Sequence, residues 1–149
     1  MRDISDRRAW VRHQGFGLRS EWVEWYLTGQ SGSRSGVSLG NRQIESLVSW
    51  LRTAGMLTRD GRLTIFAERF AQLGAKSPPC WTRVWTNVVF GFATATWYAL
   101  KGPGQWTTLD LRTALAVEAP HLAKRSISNA TCELVGLLER TPIGRELGQ

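Results

Sequence analysis

The chain lacks a long apolar run, a cysteine motif and an apolar leader. Its longest apolar stretch, Val88 to Leu100, covers 13 residues, whereas a membrane-spanning helix needs about 20. The start, "MRDISDRRAW", has no apolar core of the kind that secretory signals carry. Cys80 and Cys132 stand outside any CxxC spacing, so we expect two buried free thiols. Together these absences predict a soluble protein with cytoplasmic localisation.

Recognisable catalytic constellations are also missing. His13 and His121 lie in separate segments without metal-ligand spacing, and we interpret each as a surface or capping histidine. Glu21 and Glu24 stand near the start of a predicted helix, where carboxylates complement the positive helix end. The lipase-type GxSxG motif, the zinc-protease HExxH motif and the phosphate-binding P-loop do not occur. The sequence therefore predicts a protein that is not an enzyme, with no catalytic residue, metal, cofactor or small-molecule substrate.

Positive charge is what the chain has in excess. The net charge is +7, and arginine (16) far outnumbers lysine (3). Residues 1–83 carry 13 Lys plus Arg against 7 Asp plus Glu, whereas residues 84–149 carry 6 against 5. Because guanidinium groups bind phosphate at two points, a basic half favours a nucleic-acid partner. A GC-rich genome would explain the ratio of arginine to lysine, although not the net charge.

Apolar spacing predicts a mainly α fold. The pattern indicates a single domain over residues 1–149, with six or seven helices and one short winged-helix-like β-hairpin near 57–64. Within it we distinguish a basic N-terminal segment, 1–19, and a flexible Gly/Ser loop, 30–38. The clearest helix starts near Asn41 and ends at Gly55, with one apolar stripe that includes Leu47 and Leu51. The run from Cys80 to Leu100 is apolar on most sides and predicts a central core helix.

The helix that ends at Gly55 and the stretch "MLTRDGRLT" suggest the site. Asp60-Gly61 suits a tight hairpin turn, and a helix followed by a basic hairpin is the order found in winged helix-turn-helix modules. A charged solvated helix face with an ordinary connection explains the same pattern. The residues predicted to contact nucleic acid are Arg7, Arg8, Arg12, Arg42, Gln43, Arg52, Arg59 and Arg62.

The C-terminal segment "KRSISNATCELVGLLERTPIGRELG" resembles the end of large prokaryotic proteins related to phosphoadenosine-phosphosulfate reductases. Upstream, "LGNRQIESLVSWLRTAGML", "LTIFAERFAQLG" and "WTRVWTNVVFGFATATWYAL" are similar in order to the same region, so the resemblance spans Leu39 to Gly148. It implies a helical, winged-helix-like accessory domain from DNA-modification or phage-defence loci. The nucleotide-binding loop and cysteine motifs of the reductase part are absent, so the resemblance implies the accessory part without the enzyme.

A second resemblance is to the small subunit of multi-subunit CRISPR effector complexes, which is similarly short, basic and helical. It implies contact with guide RNA or a target strand through a basic face. We therefore expect a nucleic-acid partner, DNA or RNA, and other protein subunits of a larger assembly, with no membrane. The leading interpretation is a non-catalytic nucleic-acid-binding module of a defence or mobile-element assembly, and the alternative is a structural subunit of such a ribonucleoprotein complex.

Overall fold

The computed structural model describes residues 5–28, 38–102 and 104–145. These residues are mainly helical, as predicted, but they form nine helices rather than six or seven. The predicted Gly/Ser loop lies outside the described residues except for Ser38. The helices are α1 (Arg7–Trp10), α2 (Ser20–Leu27), α3 (Asn41–Thr53), α4 (Ile65–Leu73), α5 (Pro78–Gly91), α6 (Ala93–Leu100), α7 (Thr108–Glu118), α8 (Lys124–Arg140) and α9 (Pro142–Arg145).

Two apolar clusters form the core. The larger one lies between α2, α3, α4, α5 and the second half of α8, and Trp50, Trp81 and Phe92 are fully buried in it. The smaller one joins Trp10 of α1 to residues of α7 and α8. Trp97 of α6 packs against both clusters. Burial of each large side chain contributes about 1.5–3 kcal/mol. Because α8 borders both clusters, it is the central helix of the fold.

Residues 11–18 connect α1 to α2 without helical structure, and we call them the strap. Helix α1 ends at Trp10, because the strap backbone bonds to side chains of other helices. Within the strap, Leu18 is fully buried. Gly17 lies so close to α8 that a Cβ atom on it would stand 2.5 Å from Gly136 Cα. The strap is therefore packed into the core rather than laid over its surface.

The segment between α3 and α4 is a turn rather than a β-hairpin. Gly55 has φ +79°, which suits the glycine that ends a helix. Leu57 and Leu63 form one antiparallel bridge, and no strand forms in the described residues. Arms of two or three residues are too short to pair further without a third strand. The hairpin predicted near 57–64 is thus reduced to a bridged turn anchored by buried Met56 and Leu57.

The long core helix predicted from Cys80 to Leu100 is broken in two. Phe92 adopts an extended conformation (φ −135°, ψ 106°) between α5 and α6. Its ring is fully buried, while Phe90 is 86% exposed and Leu100 is 83% exposed. The break therefore turns the apolar run so that parts of it face outward. Among the described helices, none is both long enough and apolar enough to cross a bilayer.

Several side chains differ in exposure from what the apolar pattern of the sequence suggests. The apolar residues Ile65 and Leu73 of α4 are exposed, and Ala67 and Phe70 form its inner face. Cys80 is buried as expected, whereas Cys132 is an exposed free thiol. Helix α8 begins at Lys124, and Ala123 stands at its cap position without a side-chain cap hydrogen bond. Short helices have few inward positions, so small errors in their rotation change which residues are buried.

Candidate nucleic-acid interface

A groove of about 590 Å³ lies between two parts of the fold. One side is formed by α1 and the first residues of the strap, and the other by α3 and the turn that follows it. The groove contains three of the eight residues predicted to contact nucleic acid, and they come from segments far apart in sequence. Guanidinium groups that converge on a concave surface bind phosphate oxygens well. We call it the arginine groove, and it is lined by Asp6, Arg8, Ala9, Val11, Arg12, Ser49 and Arg59.

The groove arginines have no carboxylate partner within the described residues. Among the described residues the ion pairs are His13–Glu133 and Arg62–Asp60, and neither pair lines the groove. Asp6 lines the groove, but its Oδ1 accepts a hydrogen bond from the backbone N–H of Arg8 (2.9 Å) and caps α1. Three arginines and one aspartate give the lining a formal charge of +2. The groove thus keeps positive charge available for an anionic ligand.

Arg12 is the most constrained of the groove arginines. Its side chain is half-buried, and Nη1 donates to the carbonyl oxygen of Gly91 (2.9 Å), next to the break between α5 and α6. Its own carbonyl oxygen accepts a hydrogen bond from Ser49 Oγ on α3 (2.8 Å). A guanidinium group has five N–H donors, so Arg12 can be held by the protein and still donate into the groove.

The turn after α3 contributes the opposite wall. Arg52 Nη2 donates to the carbonyl oxygen of Arg59 (3.3 Å), which ties the turn to the end of α3. Arg52 therefore stands beside the groove and supports it. Arg62 is at the tip of the same turn, where its Nε lies 2.8 Å from Asp60 Oδ2. That carboxylate offsets the charge of Arg62, so Arg59 has more positive charge available for an anionic ligand than Arg62 has.

Three predicted residues lie elsewhere and have local structural roles. Arg7 Nε donates to Ser126 Oγ on α8 (2.8 Å). Arg42 Nε lies 3.5 Å from Gln14 Oε1. Gln43 Oε1 accepts the backbone N–H of Gly40 (2.9 Å), which caps α3. The structure does not bring these three side chains into the groove.

The outward face of α3 is partly covered by the strap. Ser46 Oγ donates to the carbonyl oxygen of His13 (2.7 Å), and Ser49 Oγ donates to that of Arg12. Both serines belong to the face that the winged-helix interpretation would place in a DNA major groove. A helix that reads base edges must present such a face to the groove. This face of α3 is therefore occupied, and the basic surface lies at its edge.

A buried pair, His13 and Glu133, fastens the strap to α8. Both side chains are fully buried. Glu133 Oε1 accepts the backbone N–H of Arg12 (3.0 Å) and that of His13, and it lies 2.8 Å from His13 Nδ1. The other carboxyl oxygen, Oε2, is buried with no hydrogen-bond partner among the described residues. One carboxyl group thus holds two successive residues of the strap.

Aromatic rings and a hydroxyl group enclose the imidazole of His13. The ring stacks on Trp50 with centroids 3.5 Å apart, and the edge of Phe92 meets it at 4.9 Å. His13 Nε2 lies 2.9 Å from Thr53 Oγ1. Burial lowers the pKa of His13 well below its ordinary value. Burial likewise raises the pKa of Glu133 well above its ordinary value, against the His13 backbone N–H and the Arg7 charge, which lower it.

The interpretation of His13 as a surface or capping residue was wrong, and Glu133 was not singled out at all. Neither residue has a local sequence signal, because the two are 120 positions apart. The one available hint was a glutamate inside the apolar pattern of α8, between Thr131 and Leu134, both buried. His121, in contrast, is exposed, as predicted.

The described residues contain no group of three His, Cys, Asp or Glu side chains that could hold a metal ion. The chain matches no family model, no curated protein and no solved structure. The case for a function consequently depends on the arginine groove and on the pair that holds the strap.

Proposed function

We propose that this protein is a non-catalytic nucleic-acid-binding module that acts within a prokaryotic antiviral-defence or mobile-element assembly. The observation that supports this function is the arginine groove, where Arg8, Arg12 and Arg59 line one concavity without a described carboxylate partner. Phosphodiester oxygens are the ligand that such a set of guanidinium groups recognises best.

The groove favours contact with the phosphate backbone over contact with bases. Its lining contains no aromatic side chain on which a base could stack. The α3 face that would meet base edges is hydrogen-bonded to the strap. Binding should therefore be weakly dependent on sequence and strongly dependent on salt, since phosphate contacts release counterions.

In this proposal the bridged turn acts as a small wing. Arg59 lines the groove, and Arg62 is exposed at the tip of the turn. A hairpin-like element that carries basic residues beside a helix is the arrangement that winged helices use against phosphates. The resemblance to the accessory domain of reductase-like proteins agrees with this order of elements and remains part of the proposal.

A second candidate is a structural subunit of a CRISPR-type ribonucleoprotein complex. The observation that favours it is the pair of large apolar side chains Phe90 and Leu100, both more than four-fifths exposed. Exposed apolar side chains become buried when neighbouring subunits cover them. Stoichiometric co-purification with the products of adjacent genes would favour this candidate, whereas a monomer that binds nucleic acid alone would argue against it.

The test is fluorescence anisotropy with labelled single-stranded DNA, duplex DNA and single-stranded RNA at several salt concentrations. Three phosphate contacts imply a slope of about −2.7 in log K against log salt for duplex, or roughly a 40-fold loss between 50 and 200 mM. Arg8→Ala and Arg59→Ala should each make the slope shallower by about one unit. Arg112→Ala, an exposed arginine on α7, is the matched control and should leave the slope unchanged.

Two results would count against this function. One is the absence of binding to all three probes at low salt. The other is binding that Arg112→Ala weakens as much as the groove variants do, because the charge of the whole chain rather than the groove would then be responsible.

A further inference from the structure

The His13–Glu133 pair lies directly behind the arginine groove. Glu133 Oε1 accepts the backbone N–H of Arg12, whose side chain lines the groove. On the other side of the strap, Ser49 donates to the carbonyl oxygen of Arg12 and also lines the groove. The backbone of Arg12 is therefore held between α8 and α3, and loss of the Glu133 contact would remove one of the two bonds that fix the backbone in this position.

The directions of the hydrogen bonds determine how many protons the pair holds. Thr53 Oγ1 has a single proton, which it donates to the carbonyl oxygen of Ser49 (3.0 Å). With the proton placed there, the oxygen accepts from His13 Nε2, so we assign to His13 the tautomer that carries a hydrogen on Nε2. His13 Nδ1 and Glu133 Oε1 face each other at 2.8 Å, and two bare acceptors would repel at that distance. One further proton consequently lies between them, and the pair has no net charge whichever atom holds it.

We propose that the arginine groove takes its binding form only while His13 and Glu133 share this proton, which makes Glu133 a positioning residue for Arg12. The inference rests on the proposed function, because it concerns regulation of the same site. When base removes the proton, two acceptors and an uncompensated carboxylate face each other in a dry site. The strap then separates from α8, and Arg12 leaves the groove.

Few other charges surround the pair. From α1, the charge of Arg7 acts on Glu133. From the strap, the Arg12 guanidinium is directed away to Gly91. Helix α3 presents the Trp50 ring and the Thr53 hydroxyl group, and the α5–α6 break presents the Phe92 ring. The side chains of Trp50, Thr53 and Phe92 do not titrate, so a response of the strap to pH originates in the His13–Glu133 pair.

The first measurement uses nucleic-acid affinity, with the same labelled probes, from about pH 6 to about pH 9. Above the pH at which the pair releases its proton, the wild-type Kd should rise by up to about tenfold per pH unit. Glu133→Gln keeps an acceptor for the two backbone N–H groups but cannot titrate, so its Kd should stay constant over this range. Glu139→Gln, an exposed glutamate on the same helix, is the matched control and should follow the wild type.

The second measurement needs no ligand and no variant. ¹⁵N NMR of the free wild-type protein follows the Arg12 amide and the His13 ring nitrogens over the same pH range. Both should shift together, with a midpoint where the affinity begins to fall. Arg12 and His13 signals that do not move, or Glu133→Gln with the same pH profile as the wild type, would overturn the inference. If no probe binds the wild type, the proposed function fails, and a shared titration of these signals would still establish the pair.

Discussion

Replacement of Glu133 by glutamine should change how the stability of the protein depends on pH. In the proposed arrangement the folded His13–Glu133 pair holds one shared proton at neutral pH, between Nδ1 and Oε1. In the unfolded chain the same two groups titrate near 6.5 and 4.5. Above pH 6.5 the unfolded chain holds neither proton, so folding takes up one proton at this pair.

The sign and size of the effect follow from proton linkage. Glu133 has a raised pKa when folded, so its contribution to stability is complete below 4.5 and is lost as the pH rises. His13 has a lowered pKa when folded, so its contribution is complete above 6.5 and is lost as the pH falls. Between 4.5 and 6.5 the two slopes cancel. Above 6.5 the free energy of unfolding should fall by about 1.4 kcal/mol per pH unit, until the folded pair releases its proton.

Urea unfolding of the wild type and Glu133→Gln across this range measures the effect. The variant lacks the contribution of the glutamate. Its free energy of unfolding should therefore be constant above pH 6.5 and should decrease as the pH is lowered below 6.5. All other titrating groups contribute equally to both proteins and cancel in the difference. That difference should decline by about 1.4 kcal/mol per pH unit from 4.5 upward. A difference that is constant with pH would refute the assignment of a shared proton to the pair.

Three glycine substitutions and one cap substitution test the packing of the strap and of the turn, each by urea unfolding. Gly17→Ala places a Cβ atom 2.5 Å from Gly136 Cα and should cost about 2–3 kcal/mol. Gly136→Ala places one 2.9 Å from Gly17 Cα, so a gain of about 1 kcal/mol in helix propensity should be outweighed by a net loss of roughly 1 kcal/mol. Gly91→Ala is the helical control, because the nearest atom to its Cβ is a Thr53 methyl group at 3.4 Å, so it should show a gain of up to about 1 kcal/mol in helix propensity without a clash. A Gly136→Ala protein more stable than wild type would contradict the close contact. Thr64→Ala removes the α4 cap and a 2.7 Å hydrogen bond to the carbonyl oxygen of Gly55, and should cost about 1 kcal/mol; an unchanged urea midpoint would mean that neither bond stabilises the turn.

The elements that the sequence predicted well are those whose signals are local. Helix α3 has the predicted stripe, with Leu47, Leu51 and Ala54 fully buried. Its end at Gly55 follows from the positive φ that glycine tolerates there. Thr107 caps α7 by accepting the backbone N–H of Asp110 (3.0 Å), another contact between near neighbours in sequence. In each case the residues that determine the structure lie within four positions of one another.

The strap could not be predicted in the same way, because its partners are distant in sequence. Thr94 donates to the carbonyl oxygen of Trp10, 84 positions away, and Glu133 binds residues 120 and 121 positions away. A short segment with helical propensity adopts a non-helical form when its backbone groups find such partners. Periodicity contains no information about them. The break at Phe92 has a related cause, since Gly91 offers its carbonyl oxygen to Arg12.

The same contacts explain why the basic residues gather where they do. The predicted site assumed that α3 presents its polar face to nucleic acid. It combined residues on and after α3 with three arginines of the N-terminal segment: Arg42, Gln43, Arg52, Arg59 and Arg62 with Arg7, Arg8 and Arg12. Ser46 and Ser49 instead hold the strap, and this places Arg12 at the edge of α3, near Arg59. A helix face cannot both bind the strap and read base edges. Under the proposed function, this arrangement favours a groove that binds the nucleic-acid backbone and whose form depends on the strap. Affinity should then depend on how the strap is held rather than on the number of arginines.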